Sequence, residues 1–159
     1  MQPLTQNELC RLLGITPPDS DRFTATSVTA DSRRVKPGAV FVAAPGTRVD
    51  GHDFAGQAAA AGAVAIVGGR DGITELCGLP YLRAAEPAAA AGRIAHALAG
   101  NPTTRLRVLG VTGTNGKGGV AHLVQAVLNH AGQSCANFGT IGYDIGGTLH
   151  NAPHTTPLA

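Results

Sequence analysis

Hydrophobic positions fall in short blocks along the chain, and their spacing alternates between strand and helix periods. Thr5-Gln6-Asn7-Glu8 has the spacing of a capping box and predicts a short helix through Leu9, Leu12 and Leu13, stopping at Gly14. Pro17-Pro18 then interrupt the chain. Residues 27–30 and 39–42 read as two strands separated by a turn at Val35-Lys36-Pro37-Gly38. The Ala-rich stretch 53–61 predicts a helix closed by Gly62, and residues 64–67 and 81–83 read as further strands. Pro87 suits the first position of a helix that runs to Leu98 and stops at Gly100.

Asn101-Pro102 marks a boundary, which divides the chain into domains at 1–102 and 103–159. Beyond it, Arg107-Val108-Leu109-Gly110-Val111-Thr112 reads as a buried strand leading into a glycine-rich turn. Val120, Leu123, Val124, Val127 and Leu128 follow at i, i+3, i+4, i+7 and i+8, the stripe of an amphipathic helix that Gly132 closes. Residues 135–143 read as a second strand, with a turn at Gly146-Gly147. Strands alternating with helices predict an α/β fold: a small N-terminal α/β domain, then the first part of a P-loop-type ATPase domain.

Composition narrows the function classes. Hydrophobic residues make up 43% of the 159, with no Trp and 4% aromatics, so the core must be built from Ala, Val, Leu and Ile. Net charge is +2 and the basic residues are scattered, which argues against a nucleic-acid surface. The N-terminus has no basic segment followed by an apolar core. The most apolar stretch, 58–67, is too short for a membrane span of about 20 residues. Cys10, Cys77 and Cys135 are far apart and read as buried, reduced thiols. These features together place the protein in the cytoplasm. The six His residues form no metal-binding spacing.

The strongest chemical signal is Gly110-Val111-Thr112-Gly113-Thr114-Asn115-Gly116-Lys117. Glycines let successive backbone amides converge into an anion-binding nest, and a helix starting there adds its dipole and unpaired amides. Lys117 is placed to neutralise the outer phosphates of a nucleoside triphosphate, with Gly113, Thr114, Asn115, Gly116, Gly118 and Gly119 around it. The other reading is a plain strand-to-helix turn whose Lys points to water. Gly118 and Gly119 depart from the P-loop pattern, which puts a Ser or Thr hydroxyl on magnesium after the Lys. Metal ligands are therefore left unassigned.

At these residues the chain resembles the Mur ligase superfamily, whose ATP loop Gly110–Lys117 looks like. Asp31-Ser32-Arg33, Pro37-Gly38 and Phe41-Val42-Ala43 resemble the uridine-binding start of the UDP-N-acetylmuramoyl-tripeptide synthetase branch. Pro45-Gly46-Thr47-Arg48-Val49-Asp50-Gly51-His52-Asp53-Phe54, Gly139-Thr140-Ile141-Gly142-Tyr143 and Thr155-Thr156-Pro157 are similar to later segments of the same enzymes. The resemblance implies that Ala30, Ser32, Thr47, Arg48 and Val49 contact the uridine end of the substrate. Residues Gly113 to Gly119 would hold ATP, with Mg2+ expected from the family and Lys117 as the catalytic cation. His154, Thr155 and Thr156 would hold the muramoyl-peptide, His154 standing where a related enzyme has Asn.

Plainer roles stay open for several of these residues. Ser32 could be a turn hydroxyl, Arg48 a solvated loop charge, Thr155-Thr156 ordinary extended chain, and Asp31–Arg33 a surface ion pair.

The implied reaction adds an amino acid to UDP-N-acetylmuramoyl-L-alanyl-D-glutamate in peptidoglycan synthesis, with ATP forming an acyl phosphate on the terminal carboxylate. The implied partners are the UDP-N-acetylmuramoyl-peptide and ATP. The resemblance also implies a central domain continuing past Ala159 and a further C-terminal domain. The chain is thus expected to be truncated and inactive alone, its 105–159 part exposing apolar edges prone to self-association. Two alternatives remain: a degenerate UDP-sugar/ATP-binding module without chemistry, which Gly118-Gly119 suits, and a folylpolyglutamate synthetase-like ligase. The latter gives the segment around Asp31-Ser32-Arg33 no role.

Overall fold

The computed structural model describes residues 2–46 and 49–151. The chain divides into two compact units between Arg105 and Leu106.

In the first unit, β1 (Leu4–Thr5) leads directly into α1 (Gln6–Leu13), and β2 (Thr24–Ala25) returns to pair antiparallel with β1. The capping box forms as predicted. The Glu8 amide donates to Thr5 Oγ1 at 3.3 Å, and the Thr5 amide donates to Glu8 Oε2 at 2.8 Å. Then come β3 (Ser27–Thr29), β4 (Ala39–Ala43), α2 (Ala55–Ala60), β5 (Ala63–Gly68), β6 (Glu75–Leu76), β7 (Leu79–Arg83) and α3 (Pro87–Leu98). The strands assemble in the order β3-β4-β5-β7-β6, parallel except for the antiparallel edge strand β6.

Burial on both faces explains why Ala39-Val40-Phe41-Val42-Ala43 is an unbroken apolar run rather than an alternating one. Val40, Val42, Ala65 and Val67 pack on one face with Ala90, Ala91, Ile94 and Leu98 of α3 and Leu9 and Cys10 of α1. Phe41, Ala43, Ile66 and Tyr81 pack on the other with Ala55 and Ala58 of α2. The helix expected over 53–61 begins later, at Ala55. A 3-10 turn over Gly51–Phe54 precedes it, capped by the Asp50 side chain on the His52 amide. Among the cysteines only Cys10 is buried, and burial together with Asp21 pushes its thiol pKa up. Cys77 is exposed because it sits in the tight β6–β7 turn, and Cys135 is half-buried.

The second unit contains α4 (Lys117–His130), β8 (Asn137–Gly139), β9 (Gly142–Ile145) and β10 (Thr148–His150). Two sequence expectations change here. Residues 107–112 are not a strand: no described strand pairs with them, and Val108 and Leu109 are exposed at 71% and 67%. A buried parallel strand needs neighbours on its edges, and the described residues of this unit offer only the antiparallel ribbon β10-β9-β8. The single strand expected over 135–143 is two, folded back at Gly139-Thr140-Ile141-Gly142, with Phe138 and Tyr143 ring centroids 5.1 Å apart across the pair. The turn at Gly146-Gly147 joins β9 to β10 as expected. The helix α4 forms, but Val120, Leu123 and Val127 on its predicted apolar face are exposed. Gln125 is its buried residue and donates to the Cys135 carbonyl at 3.2 Å.

Candidate functional site

The glycine-rich loop begins with chain that belongs to no helix or strand and ends as the first turn of α4. Gly113 and Gly116 take φ of 153° and 79°, values that a side chain disfavours, so the turn needs glycine at both. Gly116 is the N-terminal cap of α4 and Lys117 its first residue. Among the described residues, none accepts a hydrogen bond from the backbone amides of Gly113 through Lys117. These donors stand at the positive end of a helix dipole, and the arrangement suits an anion.

The Lys117 side chain turns back over the loop, and its ammonium donates to the Gly113 carbonyl at 2.5 Å and the Thr114 carbonyl at 3.2 Å. The ammonium is therefore held on two loop carbonyls, in a residue that is itself exposed. An adjacent cavity of ≈ 660 Å³ is lined by Thr114, Asn115, Gly116, Lys117 and Gly118, with Val111 and Phe138 among its apolar walls. Gly113 and Gly119 do not line it.

Of the residues expected at the uridine end, Ala30, Ser32 and Val49 fall within the first unit, after the carboxyl ends of its parallel strands. In open α/β sheets ligands bind along that edge. Ala30 is exposed and follows β3 directly. Ser32 is buried, and its hydroxyl donates to Gln57 Oε1 at 2.8 Å, so its proton is already engaged. Asp31 takes the Arg33 guanidinium through Nε at 2.9 Å and through the terminal nitrogen at 2.8 Å. Those hydrogen bonds, with the Arg33 amide, lower the Asp31 pKa to about 2. Val49 is exposed. Thr47, Arg48, His154, Thr155 and Thr156 lie outside the described residues.

Sequence reasoning missed a polar cluster on the same edge. Asp50 Oδ1 accepts from the His52 amide at 3.0 Å and lies 2.6 Å from His52 Nδ1, while His52 Nε2 lies 2.8 Å from the Tyr81 hydroxyl. That hydroxyl also accepts from the Arg70 amide at 3.0 Å, and the Arg70 guanidinium donates to Asp50 Oδ2 at 2.8 Å. The His52 amide, then its ring and Arg70, hold the Asp50 carboxyl well below the usual carboxylate range. Asp50 and His52 were visible as an Asp-x-His pair. Their partners come from β7 and the end of β5, which no local pattern links to them.

The sequence pattern of the Mur ligase family, catalytic domain, matches residues 24–109, just over half of the chain. The chain belongs to the Mur ligase family. Similar proteins include the UDP-N-acetylmuramoyl-L-alanyl-D-glutamate–2,6-diaminopimelate ligase of Geobacter sulfurreducens, 43% identical over 80% of this chain and 25% of that protein. The UDP-N-acetylmuramyl-tripeptide synthetase of Deinococcus radiodurans is 40% identical over 96% of this chain and 32% of its own length. This Mur ligase chain thus spans a quarter to a third of the length of such relatives. Among solved structures, a UDP-N-acetylmuramoyl-L-alanyl-D-glutamate–2,6-diaminopimelate ligase matches with TM-score 0.74 and 25% identity, over 98% of this chain and 31% of that one. MurF from Acinetobacter baumannii shares the fold, with TM-score 0.59 and 24% identity over 82% of this chain and 28% of that one.

The loop of this Mur ligase fits a polyphosphate, but its flank does not fit magnesium. Gly118 and Gly119 occupy the first turn of α4, where a hydroxyl would reach the metal. A Cβ at either would meet nothing within 4 Å, so packing does not demand the glycines. Among the described residues no group of three or more His, Cys, Asp or Glu could hold a metal ion. No helix of the described residues is long and apolar enough to cross a membrane.

Proposed function

We propose that this chain is the nucleotide-binding front of an ATP-dependent ligase that adds an amino acid to UDP-N-acetylmuramoyl-L-alanyl-D-glutamate in the cytoplasm. Residues 1–102 bind the uridine end of the substrate through Ala30, Ser32, Thr47, Arg48 and Val49. Residues 103–159 begin the ATP-binding domain, and His154, Thr155 and Thr156 hold the muramoyl-peptide. The observation that carries this reading is the row of amides from Gly113 to Lys117 without a partner among the described residues, on a loop whose carbonyls hold the Lys117 ammonium, in a chain of the Mur ligase family.

The physical logic is electrostatic. The loop amides and Lys117 offset the charge of the nucleotide phosphates, and such neutralisation is what phosphoryl transfer to a carboxylate needs to form an acyl phosphate. Gly118 and Gly119 favour a second reading, a module that holds UDP-sugar and ATP without turnover. The names of the similar proteins support a muramoyl substrate over a folate.

Calorimetric titration of the chain with UDP-N-acetylmuramoyl-L-alanyl-D-glutamate and with ATP tests the proposal. Saturable binding of both is expected. Binding of a pteroylglutamate in place of the uridine ligand would contradict it.

A further inference from the structure

Arg70 follows β5 at the carboxyl edge of the parallel sheet and is held at two points. Tyr81 accepts its backbone amide and Asp50 accepts one terminal nitrogen of its guanidinium. Behind that contact stands His52, only 5% exposed in its side chain, bridging Asp50 and Tyr81 and stacked on the tyrosine ring at 5.8 Å. An ordinary surface ion pair has no such buried support. Here the supports fix one orientation of a half-exposed guanidinium. Its remaining N–H donors have no partner among the described residues. Arg33, after β3, differs, because it spends donors in a two-point contact with Asp31.

We infer that Arg70 binds the diphosphate of a nucleoside diphosphate ligand, with Asp50, His52 and Tyr81 as its positioning residues. The inference rests on the uridine reading of the first unit. β3, β4 and β5 are consecutive parallel neighbours, so the ends of β3 and β5 lie two strand spacings apart, on the order of 10 Å. A base held after β3, near Ala30 and Ser32, therefore leaves its phosphates within reach of a guanidinium after β5. Arginine suits this task because its planar fork donates to two phosphate oxygens at once.

The test compares uridine and UDP as probes, titrated calorimetrically into the full chain and its Arg70→Gln variant. The unsubstituted chain is expected to bind UDP more tightly than uridine. Arg70→Gln should weaken UDP by about tenfold or more while leaving uridine unchanged, the size of a lost charge-assisted phosphate contact. Arg70→Lys should fall between, and Tyr81→Phe should weaken UDP selectively by freeing the Arg70 backbone. Equal UDP affinity in the chain and in Arg70→Gln overturns the inference alone. Parallel loss of uridine and UDP also overturns it, because a purely structural role predicts that result. If the unsubstituted chain binds neither probe, the uridine reading fails and the inference falls with it.

Discussion

The Tyr81 hydroxyl and His52 Nε2 lie 2.8 Å apart, and both crowd the position where a Cβ on Gly68 would stand. That Cβ would sit 2.6 Å from the imidazole nitrogen and closer still to the hydroxyl, nearer than real Cβ contacts allow. Gly68→Ala must push the histidine and tyrosine apart, and the expected cost is about 1–3 kcal/mol of unfolding free energy. Gly69→Ala is the control, since its nearest neighbour would be Pro87 at an ordinary 3.5 Å. Urea denaturation of both variants should show the loss only at Gly68.

Acid stability should depend on Asp50. Its folded-state pKa lies below the ordinary value of 3.8, held down first by the His52 amide. A depressed carboxylate contributes stability that is complete above its unfolded pKa and is lost as pH falls toward the folded value. Thermal unfolding followed from pH 7 downward should therefore show Tm falling below about pH 4. Asp50→Asn should have a lower Tm at neutral pH and a flatter acid limb. An unchanged acid limb in the variant would contradict the assignment.

The glycine pair after Lys117 separates nucleotide affinity from metal dependence. ATP affinity of the chain should be the same with magnesium and with a chelator. A Cβ at Gly118 meets nothing within 4 Å, and Gly118→Thr should make ATP binding tighter in magnesium than in chelator, while changing stability by only a few tenths of a kcal/mol. If magnesium does not improve ATP binding in the variant, the missing hydroxyl was not the defect.

Apolar surface in the second unit should drive self-association. Leu109 and Leu123 are exposed at 67% and 68%, and β10 is an edge strand. Sedimentation velocity should show concentration-dependent association that Leu123→Glu combined with Val127→Glu reduces. A strictly monomeric chain at high concentration would contradict this.

Most of the first unit was legible because its signals are local. The Thr5/Glu8 cap, Pro87 at a helix start and the apolar block 39–42 each report on a few adjacent residues, and each element formed there. The second unit was less so. Residues 107–112 have the composition of a buried strand, but pairing is a property of neighbours, and the described unit gives them none. The same limit applies to the sites. The turn and helix start at Gly113 to Lys117 rest on consecutive residues, so their local form was legible. The Asp50–His52–Tyr81–Arg70 cluster could not, because β7 and the end of β5 supply half of it. Ser32 shows a third limit: the resemblance implies a ligand contact, and no local pattern shows that its hydroxyl donates to Gln57, 25 residues on.

Phosphate binding by the loop is tested most directly by an ATP titration followed by amide-resolved NMR, run on the chain and on Lys117→Ala. The Gly113, Gly116 and Lys117 amides should shift together on binding, and Lys117→Ala should weaken ATP by roughly tenfold or more through loss of one charge-assisted phosphate contact. Loop amides that stay in place at saturating ATP would contradict it.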